Sequence, residues 1–167
     1  GLVTARFAGM TLAVPLLLGL SIPLLSSELV VLNTYVVDYA LPLDTSLRWW
    51  HGQVPHLDYQ TPIGAAYWLF QGLGVELTGL DAKPPLVANF LAAGLLGLSG
   101  VVLAWRRLSG GLAGLFLFAV LLLVITPRST GDLPGQMSFL GAYNKWALGA
   151  LSILLITNNL FPHPNSL

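Results

Sequence analysis

PPLVANFLAAGLLGLSGVVLAW, residues 84–105, decides the fold class. It runs 22 residues without an Asp, Glu, Lys or Arg. As an α-helix rising about 1.5 Å per residue, it is long enough to cross a hydrocarbon core of roughly 30 Å. Three more charge-free stretches lie around it: Phe7–Ser27, Leu108–Pro127 and Trp146–Leu167. Charged residues make up 8% of the chain and apolar residues 55%, whereas an average soluble domain carries roughly 25% charged residues to cover its surface. The expectation is an all-α, polytopic transmembrane helix bundle of about four spans, near 7–27, 84–105, 110–126 and 143–160, forming a single membrane domain over residues 1–167.

Net charge is zero, so nothing points to nucleic acid. The absence of cysteine excludes disulfides, thiolate metal sites and a Cys nucleophile. The chain starts at Gly1 and stops in FPHPNSL soon after a span, which reads as a fragment of a longer membrane protein. A cleaved signal peptide is the rival reading of the start, but Phe7–Ser27 is longer than a usual signal core and lacks a small-x-small exit. Pro15 and Pro23 within that span are tolerated where neighbouring helices re-satisfy the freed carbonyls. Gly94, Gly97 and Gly100 in the second span are spaced for close helix contact.

Between residues 33 and 83 the character changes. Five of the seven acids lie here (Asp38, Asp44, Asp58, Glu76, Asp81), with three Trp and two of the three His. Asp44 is suited to cap a short interfacial helix, DTSLRWWHGQ, that ends at Gly52, with Trp49 and Trp50 as headgroup-layer anchors. VPHLDYQTP is extended, because the residues before its two prolines disfavour helix. TPIGAAYWLFQGLGVELTGL reads as a helix with Pro62 near its start. Its charge-free run, residues 60–74, is short for a span, so it lies at the interface or forms a fifth, tilted crossing.

Arg106 and Arg107, in a short turn unaccompanied by acids, mark the cytoplasmic side and place the acidic loop outside. Acids at a membrane face withdraw a proton from an attacking group, hold a divalent cation, or pair with a cationic substrate. Asp38, Asp44 and Asp58 are the candidates for that work, and Arg48, His51, His56 and Lys83 for holding phosphate. Plainer roles stand beside these. Asp44 and Asp58 could cap helices, Asp38 could be a solvated loop acid, and the histidines could be interfacial hydrogen-bonders. Lys145, entering the last span after Tyr143 and Asn144, needs a partner or a headgroup.

The loop pattern G-x-x-P-x-x-D-[YF]-x-x-P-x-G is carried by Gly52, Pro55, Asp58, Tyr59, Pro62 and Gly64, with Asp38 fourteen residues before Gly52. With a span before it and a basic pair after the next, it resembles the type C polytopic glycosyltransferases that use polyprenyl-phosphate sugars, the protein O-mannosyltransferase and aminoarabinose-transferase relatives among them. The likeness runs from about Phe7 to Leu160 and covers the N-terminal portion of that family. It implies hexosyl or pentosyl transfer to an extracytoplasmic acceptor at a bacterial inner membrane, with the bilayer and a lipid-linked sugar as partners. It implies Asp38 as the catalytic base or metal-site acid, Asp58 as the acid of the second motif, and Arg48, His51, His56, Tyr59 and Lys83 around the substrate. Asp38 is followed by Tyr39 where the family often has a second acid, so Asp44 is the other counterpart. No cofactor is fixed, and a divalent cation stays open. A transporter or flippase half and a non-catalytic assembly subunit are the competing readings. The first predicts charge inside the spans or repeated broken spans, which the sequence lacks.

Overall fold

The computed structural model describes residues 36–81, 83–108, 110–126 and 141–157. The expected span at 7–27, the polar loop at 127–140, Asp132, and the end of the last span lie outside the described residues. Five helices account for the described architecture: α1 (Val36–Trp50), α2 (Ala65–Thr78), α3 (Pro84–Arg107), α4 (Gly110–Ile125) and α5 (Ala142–Thr157). No strand occurs among the described residues. The protein is thus all-helical there, and one helix, through Pro84–Ala104, is long and apolar enough to cross a membrane. At about 1.5 Å per residue, the 16 residues of α4 and of α5 each reach about 24 Å.

The described residues fall into two compact units. One comprises α3 from Ala93 onward with α4 and, from Asn144, α5. Its core gathers Ala104, Leu108, Ala113, Leu117 and Ile156. Gly97 and Gly100 let α3 approach α4: a Cβ on them would sit 2.9 Å and 3.0 Å from the methyls of Leu121 and Leu117. Gly149 on α5 gives the same access to Val124 and Leu96. Gly94 meets nothing, so two of the three glycines picked out in the sequence serve as contacts. Lys145 donates from Nζ to the Thr126 carbonyl at 2.9 Å, a cation on the open carbonyls that end α4.

The other unit holds α1, the loop after it, α2, the first turns of α3, and residues 141–143. Here α1 packs on α2. The stripe Tyr39, Pro42, Thr45, Ser46 is buried at helical spacing, with Trp49 continuing it half-buried. Pro42 lies inside the helix. The hydroxyls of Thr45 and Ser46 return hydrogen bonds to the carbonyls of Leu41 and Pro42, both at 2.8 Å, so neither buried hydroxyl is left unsatisfied.

This differs from the expected helix in one respect: Asp44 is in the middle of α1 and caps nothing. The helix does stop where Gly52 predicts. Gln53 N–H bonds the Arg48 carbonyl at 2.9 Å and Gly52 N–H the Trp49 carbonyl at 2.8 Å, the paired bonds of a Schellman motif. Gly52 takes the left-handed φ of 70° that this ending requires. α2 begins at Ala65, three residues after Pro62, with Gly64 as an N-cap lacking a side-chain hydrogen bond. Thr61 instead accepts the Ile63 N–H in a local turn, which defers the helix start.

Candidate functional site

The Schellman ending of α1 brings Gln53 back over Arg48, and the polar loop is built on that junction. Arg48 Nε donates to Asp44 Oδ2 at 2.7 Å, one helical turn earlier. Arg48 Nη1 donates to Gln53 Oε1 at 3.2 Å. The guanidinium carbon stands 4.2 Å from the centroid of the Tyr59 ring. Three partners therefore fix the plane of one cation, the geometry in which Arg differs most from Lys. The Asp44 hydrogen bond holds the Arg48 pKa above its ordinary value. Tyr59 is also raised, chiefly by partial burial, against the lowering pull of Arg48.

Asp58 lies in the tight turn that follows. Its Oδ2 accepts the Val54 N–H at 2.7 Å, its own N–H bonds the Val54 carbonyl at 2.9 Å, and His56 N–H bonds the Tyr59 carbonyl at 2.8 Å. Asp58 thus folds its own turn and does not cap α2. The turn holds His56 at φ 64°, an unusual backbone for a residue with a Cβ, and leaves His56, Leu57 and Asp58 exposed.

Of the residues the sequence singles out, Asp44, Arg48 and Tyr59 come together, with Asp58 next to Tyr59 in the chain. His51, just past α1, is exposed. Asp38 is on the backbone of α1, six residues before Asp44; its side chain is not among those described. Lys83 sits directly before α3, where its carbonyl accepts the Leu86 and Val87 N–H groups and its own N–H bonds Asp81 Oδ1 at 2.6 Å. No hydrogen bond or ion pair in the structure ties it to Arg48 or Tyr59. Among the described residues no three His, Asp or Glu side chains gather as a metal would need.

Beside the loop, the aromatic residues join α1 to α2. Trp49 packs against Trp68, centroids 4.4 Å apart, and donates from Nε1 to Glu76 Oε1 at 2.8 Å. Trp68 donates to the Gln53 carbonyl at 3.1 Å. Trp49 is accordingly a packing residue, and of the tryptophan pair only Trp50 is exposed. Gln53 and Glu76 were not legible as site residues. The one signal for Gln53 is its place just after the helix-ending Gly52, which a Schellman motif folds back over the last turn.

Beneath these contacts Tyr39, Tyr67 and Gln71 are buried, and Tyr67 meets Tyr143 edge to face at 5.9 Å. Burial pushes the Tyr39 phenol up to about 12, with the Asp81 charge adding to the shift. Burial raises Tyr67 as well. The buried Gln71 Oε1 has no hydrogen-bond partner.

No known protein family, characterised protein or solved structure matches this chain.

Proposed function

We propose that this chain is the N-terminal portion of a polytopic membrane glycosyltransferase, which moves a hexosyl or pentosyl group from a polyprenyl-phosphate donor to an extracytoplasmic acceptor. The observation supporting this reading is the Arg48 guanidinium, oriented by Asp44, Gln53 and Tyr59, with the exposed Asp58 adjacent to Tyr59 in the chain. A planar cation held in place suits a phosphate, and a water-facing carboxylate suits proton withdrawal.

The reaction is a single displacement with inversion. The acceptor oxygen forms a bond to the anomeric carbon as the bond from that carbon to the phosphate oxygen breaks. The electron pair leaves with polyprenyl phosphate, whose charge Arg48 meets, and the acceptor proton passes to Asp58 or Asp38. Asp44 is the positioning residue for Arg48, since its carboxylate is already engaged there.

The test is sugar transfer in membranes carrying the complete protein to which this chain belongs, using labelled polyprenyl-phosphate sugars, for the unaltered protein, Asp38→Asn and Asp58→Asn. Loss of a general base lowers the rate by roughly a hundredfold or more. Such a loss in one variant, at normal membrane levels, names the acid. No transfer from the unaltered complete protein across a broad donor panel, or full activity in both variants, returns the chain to the transport and assembly readings.

A further inference from the structure

Trp68, Gly72 and Glu76 recur every four residues along α2 and so share one face of that helix. The end of α1 is seated on it. Gly72 has no side chain in the path of the Trp49 indole, and a Cβ there would meet the ring. One turn before Gly72, Trp68 packs on the same indole with centroids 4.4 Å apart. One turn after it, Glu76 Oε1 accepts the Trp49 N–H at 2.8 Å. Trp49 directly follows Arg48 in the chain, so this face fixes the backbone from which the guanidinium extends.

Trp68 has a second contact, and it reaches the far end of the same side chain. Its Nε1–H donates to the Gln53 carbonyl at 3.1 Å. The Gln53 N–H is already bonded to the Arg48 carbonyl at 2.9 Å. The Gln53 backbone is therefore held on both sides, by α1 through its N–H and by α2 through its carbonyl. Its side chain starts from that fixed point, and Oε1 accepts the Arg48 Nη1–H at 3.2 Å. The amide torsion of a glutamine is otherwise broad and roughly two-fold, so an anchored backbone narrows where its oxygen can stand. The Asp44 hold on Nε is different in kind: it is an exposed pair one turn apart within α1, of the sort that contributes little.

We infer that Trp68 is a positioning residue for Arg48: its indole N–H ties Gln53 to α2, and through Gln53 it sets the plane of the guanidinium. The cation of the polar loop is thus aligned from a second helix, by a residue that never touches it. The bearing of this on sugar transfer rests on the reading proposed above, whereas the hold on Arg48 does not.

The experiment reads Arg48 directly. Phenylglyoxal bridges the two terminal nitrogens of a guanidinium, so its rate at Arg48 depends on how firmly Nη1 is held. The exposed Arg106 is the internal reference. Rates come from mass spectrometry of digested peptides, using the complete protein in detergent, for the unaltered protein, Trp68→Phe, Gln53→Ala and the double variant. Trp68→Phe keeps an aromatic ring against Trp49 and removes the N–H. Benzothienylalanine placed at residue 68 keeps the indole shape with sulfur in place of the N–H, and repeats the reading without a change of volume. Gln53→Ala keeps the carbonyl that Trp68 meets and removes the amide that Arg48 meets. Each single variant should speed modification of Arg48 relative to Arg106 by about three- to tenfold, the effect of one lost hydrogen bond. The double variant should be no faster than Gln53→Ala alone. An unchanged Arg48 rate in either single variant overturns the positioning. So does a double variant whose effect is the product of the two singles, since Trp68 would then be supporting the fold at large. Sugar transfer separates the two readings. Faster modification with unchanged transfer in Trp68→Phe keeps the positioning and removes Arg48 from the reaction. No transfer from the unaltered complete protein sinks the glycosyltransferase reading and leaves the Arg48 rates to decide the positioning.

Discussion

Trp49 of α1 occupies the space that a side chain at residue 72 of α2 would need: a Cβ on Gly72 would fall within the indole ring system. The two helices can approach this closely only because residue 72 has no side chain. The contact also carries Trp49 to Trp68 and to Glu76, so it sets where the polar loop stands relative to α2.

Gly72→Ala should therefore cost about 1–3 kcal/mol, the usual penalty for overfilling a packed contact. Gly94→Ala, where the added methyl meets nothing, is the matched control. Thermal unfolding of both variants in the same detergent checks this. Equal midpoints would mean that α1 does not pack on α2 through residue 72.

At the end of α1, Gly52→Ala forces an L-residue into a left-handed backbone at φ 70° and should destabilise by about 1–2 kcal/mol. Gly52→Asn, which tolerates that conformation, should recover part of the loss. Comparing denaturation midpoints of the two variants decides the matter, since equal losses would contradict a conformational origin.

The Asp44–Arg48 pair is exposed and one turn apart, so breaking it with Asp44→Asn should change stability by no more than about 0.5 kcal/mol. If Arg48 meets the donor phosphate, Arg48→Lys should lower transfer while leaving stability nearly unchanged. Lysine keeps the charge but loses the planar hold on Asp44, Gln53 and Tyr59. Full transfer by Arg48→Lys would remove the guanidinium from the proposed function.

Tyr39 gives a pH signature. Its phenol is pushed from 10.0 up to about 12 by burial, so the folded chain keeps a proton that the unfolded chain releases. The raised value means that this contribution to stability is complete below pH 10 and is lost as pH rises toward about 12. Ultraviolet titration of tyrosinate, comparing the unaltered chain with Tyr39→Phe, should show one late phenol missing from the variant. Loss of a phenol titrating near the ordinary 10.0 instead would place Tyr39 in water.

Topology can be checked in the chain's cysteine-free background. Asp58→Cys and Arg107→Cys should react from opposite sides of the membrane with an impermeant maleimide. Labelling of both from one face would refute the placement of the loop outside.

The order of these elements was readable because its causes are local. Charge-free runs at 84–105, 108–127 and from 146 onward foretold helices, and α3, α4 and α5 lie within or across them. Gly52 foretold the end of α1, since few other residues take up a left-handed backbone cheaply. Asp44 misled because its preference for an N-cap is real but small. The buried stripe from Tyr39 to Trp49 outweighs it and carries the helix through Pro42. Likewise Pro62 is a favoured helix starter, but the turn at Thr61 delays α2 until Ala65.

The sequence by itself determined helical class, an apolar exterior and a polar loop rich in acids, because composition and period act within a few residues of one another. Only the tertiary structure decided which polar groups meet. Trp49 is joined to Glu76 across 27 positions of chain, and Gly74 lies against Pro84 across a helix boundary. Nothing in local preference selects such partners. They follow from two helices packing closely where glycine leaves room, and that closeness is a property of the folded pair.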